Sequence, residues 1–462
     1  MSKCSCENCN LEVFENSNKC ILHCEKDDWH EVENTSDDEF NLGTEIIYYW
    51  DEKKVKKFWK KFKKLIEEKK DLSEKESYYR FDDFIFPKME QDTFKNYTFD
   101  CDLVFTKNCI FEGDVYFFQA VFNGKVYFDN CDIKGKVNFG KSIFKDRFTF
   151  NNMKHIEEIW LRYAEFQKKV EFKKSYCKNL DFENVTFKNL VDFYGSIFEG
   201  NINFEKTTFK DISVFTNVIF KDDINFKYTT FEKLAQFKET VFEKSLNLED
   251  TIIKEEINFL KIKTKDNKEL NSENMANRET ARIIKDSFEQ QNNIIEANKF
   301  YALEMKSREK ELSPKENFFE WLVFKIHGIS SNHSQDWILA LFWILLFTFT
   351  FLTIEFINTH YLTHAVDYIL IDTLVFLGFV SGSYLIIEYE KINKFWYIGI
   401  YYIFYGFFSQ DWLLKCFSNK LNPFSIMTGK EELNFGILLY KITIAYLIYQ
   451  LIISIRQNTR RK

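Results

Sequence analysis

Large apolar residues punctuate the middle of the chain at a period that belongs to neither a helix nor a flat strand. Phe187, Phe198, Phe209, Phe220, Phe231 and Phe242 recur every eleven residues. A second series, Phe182, Phe193, Phe204, Phe215, Phe226 and Phe237, interleaves with it, so the interval alternates between five and six. The same rhythm runs upstream through Phe111, Phe122, Ile133 and Phe144, and through Phe117, Phe128, Phe139 and Phe150. A helix would scatter this spacing around its circumference, and a flat strand would need an even interval. A solenoid satisfies it: each five- or six-residue piece forms one side of a coil and sends one large side chain inward, over its equivalent in the coil below. The position two before the large residue is small in five-residue steps, as at Ala120, Ser142, Ala164, Ser196, Thr207, Thr229 and Thr240. Val115, Val126, Val137, Val191, Ile202 and Ile224 supply the second inward residue in the six-residue steps. Two five-plus-six pairs make a coil of 22 residues, and about seven to eight coils at the ~4.8 Å strand spacing stack to ~35 Å.

The pattern changes on either side of this core. Val55, Phe58, Trp59, Phe62, Leu65 and Ile66 lie at helical spacing among lysines, which predicts an amphipathic helix within an N-terminal cap over residues 45–90. Its apolar stripe is expected to dock on the solenoid end, the rival being a membrane surface. After the repeats at 91–262, residues 275–312 read as a helical cap and linker, because an open coil end exposes apolar side chains and strand edges. Ser313, Pro314 and Glu316 then open a helix over 313–330 whose Phe318, Phe319, Trp321, Leu322 and Phe324 suit a membrane interface.

Four apolar stretches follow within 335–457, at about 337–357, 365–387, 395–412 and 435–455, and predict an all-α transmembrane domain of about four helices. Trp337, Trp396 and Trp412 sit at stretch ends, as interfacial aromatics do. Lys306, Arg308, Lys310, Lys315 and Lys325 precede the first stretch, Lys391 and Lys394 separate the second from the third, and Arg456, Arg460 and Arg461 follow the fourth. That distribution places both termini on the cytoplasmic side, although Lys415, Lys420 and Lys430 would then face outward. Asp372 and Lys441 fall inside the second and fourth stretches, where an ionised side chain costs at least ~2.5 kcal/mol unless paired or hydrated. An ion pair between them is therefore expected.

The repeat stretch resembles the pentapeptide-repeat proteins, whose units carry a central Leu or Phe with a small residue two before it. The resemblance implies a right-handed quadrilateral β-helix with four sides to a coil, although this chain replaces every second five with a six. Residues 278–305 resemble the linker that follows such repeats in a group of bacterial membrane proteins, which implies a multi-pass protein of the bacterial inner membrane. Some soluble relatives mimic DNA with a strongly acidic rod. Here lysines interleave with the acids, so no nucleic-acid-related role is expected.

Composition and charge refine the picture. A chain of 462 residues exceeds one compact core, and 53 phenylalanines beside 3 prolines and 14 glycines fit a repeated structural unit. With 63 basic and 70 acidic residues, the net charge of −7 marks neither a nucleic-acid binder nor an acidic tail. Cys4, Cys6, Cys9, Cys20 and Cys24 cluster at a start that lacks the features of a secretory signal, so a cytosolic, reduced N-terminus is expected. Cys6 with Cys9, and Cys20 with His23 or Cys24, have the close spacing of tetrahedral zinc ligands, with Cys4 a further candidate. Residues 1–30 are therefore expected to hold a structural zinc. Cys109, Cys131 and Cys177 read as small core residues of the repeats. No phosphate-binding loop, nucleophile elbow or His-Glu-x-x-His motif is present, which argues against an enzyme. The function expected is a scaffold: a cytoplasmic repeat domain that engages an unidentified protein partner, anchored in the lipid bilayer. The alternative is an oligomeric ion channel or transport protein regulated by its repeats.

Overall fold

The computed structural model describes residues 3–6, 9–34, 46–68, 78–106, 108–361, 378–385, 394–428 and 435–459. The chain divides into two compact units, residues 1–288 and 289–462.

The first unit is a parallel β-solenoid of about eight turns. Among the described residues four parallel sheets, of nine, nine, eight and four strands, form its sides. Most registers advance by one 22-residue coil: Thr186 pairs with Thr208 and Thr208 with Thr230, while Ile202 pairs with Ile224 and Ile224 with Leu246. Each eleven-residue series therefore splits into two columns on different sides. Phe182, Phe204 and Phe226 stack with centroids 4.7 and 4.9 Å apart, and Phe193, Phe215 and Phe237 at 4.9 and 4.5 Å. Phe187, Phe209 and Phe231 stack at 5.1 and 5.0 Å, and Phe198, Phe220 and Phe242 at 5.3 and 5.5 Å. All of these rings are buried. Neighbouring columns meet edge to face, as Phe204 meets Phe215 at 5.8 Å and 87°. Both geometries place ring edges or offsets against π faces, as the aromatic quadrupole prefers.

The small inward residues do more than fill space. The Thr207, Thr229 and Thr240 hydroxyls donate to the carbonyls of Phe182, Phe204 and Phe215 in the adjacent coil, at 2.6, 2.7 and 2.7 Å. Cys109 and Cys131 occupy the same slot and direct their thiols to the Phe81 and Phe105 carbonyls. Cys177 differs from expectation. It pairs in register with Phe198, below Phe220 and Phe242, and so fills a place in a large-residue column.

The alternation of five and six has a backbone origin. In each five-residue step a turn such as Phe204–Thr207, closed by Thr207 N–H donating to Phe204 O at 3.0 Å, carries a residue of positive φ, here Lys206 at 57°. Asn217, Tyr228, Glu239 and Asp250 repeat this at intervals of eleven, and the six-residue steps bend without it. One coil is a residue short: Val170 pairs with Val191 and Ile159 with Leu180, 21 residues on. The deletion falls between Phe172 and Phe182, and Phe172 still stacks on Phe193 at 5.3 Å.

Both ends of the solenoid are covered. Helix α1, Glu52–Glu68, lays Phe58, Trp59 and Phe62 on Phe81, Phe86 and Phe94, and Trp59 Nε1 donates to Lys88 O at 2.8 Å. Its stripe is thus a cap on the coil end. Helix α2, Arg278–Gln290, buries Ala281, Ile284 and Phe288 at the other end. Thr280 Oγ1 accepts from Leu248 N–H at 2.9 Å and Ser287 Oγ donates to Ile257 O at 2.8 Å, so the helix satisfies backbone groups of the terminal coil. On the outer surface, ion pairs link successive coils, among them Lys221–Glu199, Lys227–Glu249 and Lys254–Glu232 at 3.1, 2.6 and 3.0 Å.

The second unit is helical: α3 (Ile294–Glu311), α4 (Phe318–Ser331), α5 (Trp337–Tyr361), α6 (Lys394–Ser409), α7 (Lys415–Leu421) and α8 (Phe435–Thr459). Among the described residues two helices are long and apolar enough to cross a membrane, over Trp337–Phe356 and Gly436–Thr459. They pack through Phe342, Trp343, Ile344, Leu346 and Leu447. The third expected span is α6, whose 16 residues reach ~24 Å, short of a ~30 Å hydrocarbon core. Of the second, only the helical stretch 378–385 is described, and Asp372 lies outside the described residues.

Candidate metal centre

The N-terminal segment folds into a knuckle held by backbone bonds. A bridge between Lys3 and Glu12, with Cys4 N–H donating to Leu11 O at 2.9 Å, sets Cys4 beside the returning chain. Ser5 N–H donates to Asn18 O at 3.1 Å, and Cys20 N–H points at Cys4 Sγ at 3.2 Å. A tight turn from Cys20, closed by His23 and Cys24 N–H groups on Cys20 O at 3.0 and 2.9 Å, presents Cys20 and His23 on one side.

These constraints bring Cys4, Cys9, Cys20 and His23 together, with one ligand atom from each all within 4.8 Å of one another. Cys9 Sγ lies 3.6 Å from Cys20 Sγ, and His23 Nδ1 lies 3.8 Å from Cys4 Sγ and 3.1 Å from Cys20 Sγ. A tetrahedron with metal–sulfur bonds of ~2.3 Å and a metal–nitrogen bond of ~2.1 Å has edges of about 3.6–3.8 Å, so two of these contacts fit and the third is slightly closed. The group could bind a metal ion.

Of the six candidates from the sequence, Cys6 and Cys24 stand outside this group. Cys24 Sγ faces Lys26 Nζ at 3.5 Å and the Ile21 carbonyl at 3.7 Å. Cys4 stands beside Cys9 where the shorter Cys6–Cys9 spacing had pointed to Cys6. The Lys3 bridge holds Cys4 beside the returning chain, and the bend at Ser5 and Cys6 breaks the extended period in which Cys6 would face the same way as Cys4. Burial raises the Cys20 thiol to about 12, and burial also raises Cys4, though hydrogen bonds from the Cys6 and Cys20 backbones leave Cys4 below its ordinary value. Burial holds the His23 pKa below its ordinary value, and its ring is hydrogen-bonded to the Asp82 backbone, an outer contact of the kind that orients metal-binding imidazoles. The knuckle sits on the first coil: His23 packs edge-on against Phe84 at 4.6 Å, and Ile85 N–H donates to Leu22 O at 3.1 Å.

The other candidate charge is Lys441 on α8, only 1% exposed. Its Nζ donates to the carbonyls of Lys420 and Asn422, each at 2.8 Å, at the C-terminal end of α7. Lys420 in turn pairs with Glu355 of α5 at 3.0 Å. Main-chain oxygens at a helix C-terminus thus solvate this ammonium, a partner no residue pattern marks. Whether Asp372 adds to it falls outside the described residues.

A family model described as pentapeptide repeats, in nine copies, matches residues 107–154 and 204–252. The unmatched interval contains the 21-residue coil. No curated protein and no solved structure matches the chain.

Proposed function

We propose that this pentapeptide-repeat chain is a non-enzymatic scaffold of the bacterial inner membrane. Its solenoid would engage a protein partner in the cytoplasm, and its helical unit would anchor it with both termini inside. The observation that carries the reading is the closed solenoid: the inward places hold stacked Phe and hydroxyl staples, and the outer face is a rigid array of coil-to-coil ion pairs. Such a rod offers an extended surface of mixed charge, which suits a protein partner better than a nucleic acid.

The anchoring rests on apolar side chains turned away from the helical core. Trp396 and Phe407 on α6 are 75% and 74% exposed, and Leu439, Ile442 and Ile452 on α8 are exposed as well. Lipid tails would cover these faces, and homo-oligomers in the bilayer would use the same ones. The exposed Phe318, Phe319, Val323 and Ile326 of α4 support its place at the membrane interface. The carbonyl cradle of Lys441 supports a structural role for that charge over an ion path. In the N-terminal knuckle, three thiolates and one imidazole favour zinc as a structural ion.

Full-length protein expressed in bacteria should remain in the membrane after a carbonate wash, with both termini labelled only after permeabilisation. Cross-linking from solenoid lysines should capture a protein, and liposomes carrying the purified chain should conduct no ions. Extraction by carbonate would remove the anchoring, and a conducting oligomer would replace the scaffold with the channel.

A further inference from the structure

Where α4 turns into α5, three consecutive non-glycine residues have positive φ: Asn332 at 49°, His333 at 54° and Ser334 at 67°. Left-handed backbone is costly for L-residues, so the surroundings must over-determine this turn. Asn332 N–H donates to Gly328 O at 2.8 Å, Ser334 N–H to Ser331 Oγ at 2.9 Å and Asp336 N–H to Ser331 O at 2.9 Å. A continuous side-chain network does the rest. His333, 1% exposed, has its Nε2 3.2 Å from Glu309 Oε2 of α3 and its Nδ1 3.4 Å from Nδ1 of His327 on α4. His327 Nε2 lies 3.0 Å from Ser334 Oγ. Ser331 and Ser334 reach Gln450 Oε1 on α8 at 3.0 and 3.4 Å. Gly328 keeps the space open, since a Cβ there would stand 3.0 Å from Glu309 Oε2 and 3.2 Å from His333 Nε2.

Counting donors assigns the protons. Glu309 accepts from Nε2 of His333, which leaves His333 Nδ1 an acceptor; His327 then donates from Nδ1, and its Nε2 accepts from the Ser334 hydroxyl. Both imidazoles are neutral in this arrangement; the single Ser334 proton goes to His327 Nε2, and Ser331 supplies the donor to Gln450 Oε1. Burial holds both below the ordinary histidine range, the first cause in each case. A further proton on His327 Nε2 displaces the Ser334 donor and leaves a partly buried cation facing Glu309 only through His333, and that carboxylate is already engaged by His333 and Lys325. On His333 Nδ1 the proton would confront the His327 Nδ1 proton and break that contact.

We propose that this chain is a proton-sensing latch that ties the α4–α5 turn to α3 and α8 when neutral and releases the turn when it takes up a proton. The charged groups facing it are few. From α3, Glu309 favours a cation on His333 and Lys306 opposes it. From α4, Lys325 holds Glu309 at 2.6 Å and so weakens that compensation. From α8 come the neutral Gln450 and Tyr446, the latter 3.4 Å from Ser330 Oγ. A depressed histidine pKa contributes stability that is present at neutral pH and lost as pH falls below the unfolded value near 6.5.

The test uses the full-length chain in detergent micelles. Imidazole C2-hydrogen exchange read by mass spectrometry from pH 4 to 8 should place His327 and His333 midpoints below about 6.5. Amide exchange over 327–336, corrected for its intrinsic pH dependence, should rise about tenfold between pH 7 and 5. His327→Gln should abolish that rise. Glu309→Gln, which keeps both rings, should lower the imidazole midpoints further, an effect a merely structural contact would not produce. Midpoints at or above the ordinary value, or an acid-induced rise unchanged in His327→Gln, would overturn the latch.

Discussion

Replacing Phe215 with Ala probes the solenoid where its packing is densest. The ring stacks between Phe193 at 4.9 Å and Phe237 at 4.5 Å, and meets Phe204 and Phe226 edge-on at 5.8 and 5.6 Å. Six ring carbons would be lost from a fully buried site. Transfer of the ring contributes about 2 kcal/mol. The rigid neighbouring coils cannot close over the gap, so a residual cavity of about 100 Å³ at 24 cal/mol per Å³ adds about 2.4 kcal/mol. The total, about 4–5 kcal/mol, matches the upper range for buried aromatic truncations. Because each coil touches only its neighbours, the damage should be local. Amide exchange of the full-length chain should accelerate most in peptides spanning 190–240 and much less in those spanning 110–140. The exposed Lys210→Ala serves as control and should change neither. Unchanged protection across 190–240 in Phe215→Ala would refute the stacked-column argument.

Purified full-length protein should carry about one zinc per chain by elemental analysis; Cys9→Ser and His23→Ala should lose it, whereas Cys6→Ser and Cys24→Ser should retain it. Burial raises the Glu171 pKa, but Lys169 and Lys173 at 2.8 Å and Arg147 more than reverse that and bring it to about 2. Its stabilisation is therefore present above the ordinary value of 4.5 and lost as pH falls toward 2. Glu171→Gln should cost about 1–3 kcal/mol at pH 7, with the difference from wild type closing in thermal melts through that window. Lys206 holds φ 57° without the freedom of glycine, so Lys206→Gly should raise the stability of its coil by up to about 1 kcal/mol, whereas Lys206→Val should lower it, both read by amide exchange over 200–212.

The solenoid was legible in the chain because its contacts are themselves periodic. Each large residue meets its equivalent one coil away, so Phe204 and Phe226 announce their stacking by spacing alone, and the same regularity lets a family model match the two blocks. The apolar length of α5 and α8 is legible for a similar reason, since crossing length is a property of one uninterrupted segment. What only the tertiary structure decided are convergences between segments with no shared period. The bridge at Lys3 and the bend at Ser5 and Cys6 bring Cys4, and not Cys6, to Cys9, Cys20 and His23. Lys441 finds oxygens at the end of α7, and His333 finds Glu309 and His327 through a turn of three left-handed residues. Composition carries no trace of such meetings, because they depend on where separate elements end and at what angle the chain re-enters, and those are settled by packing after each element has formed.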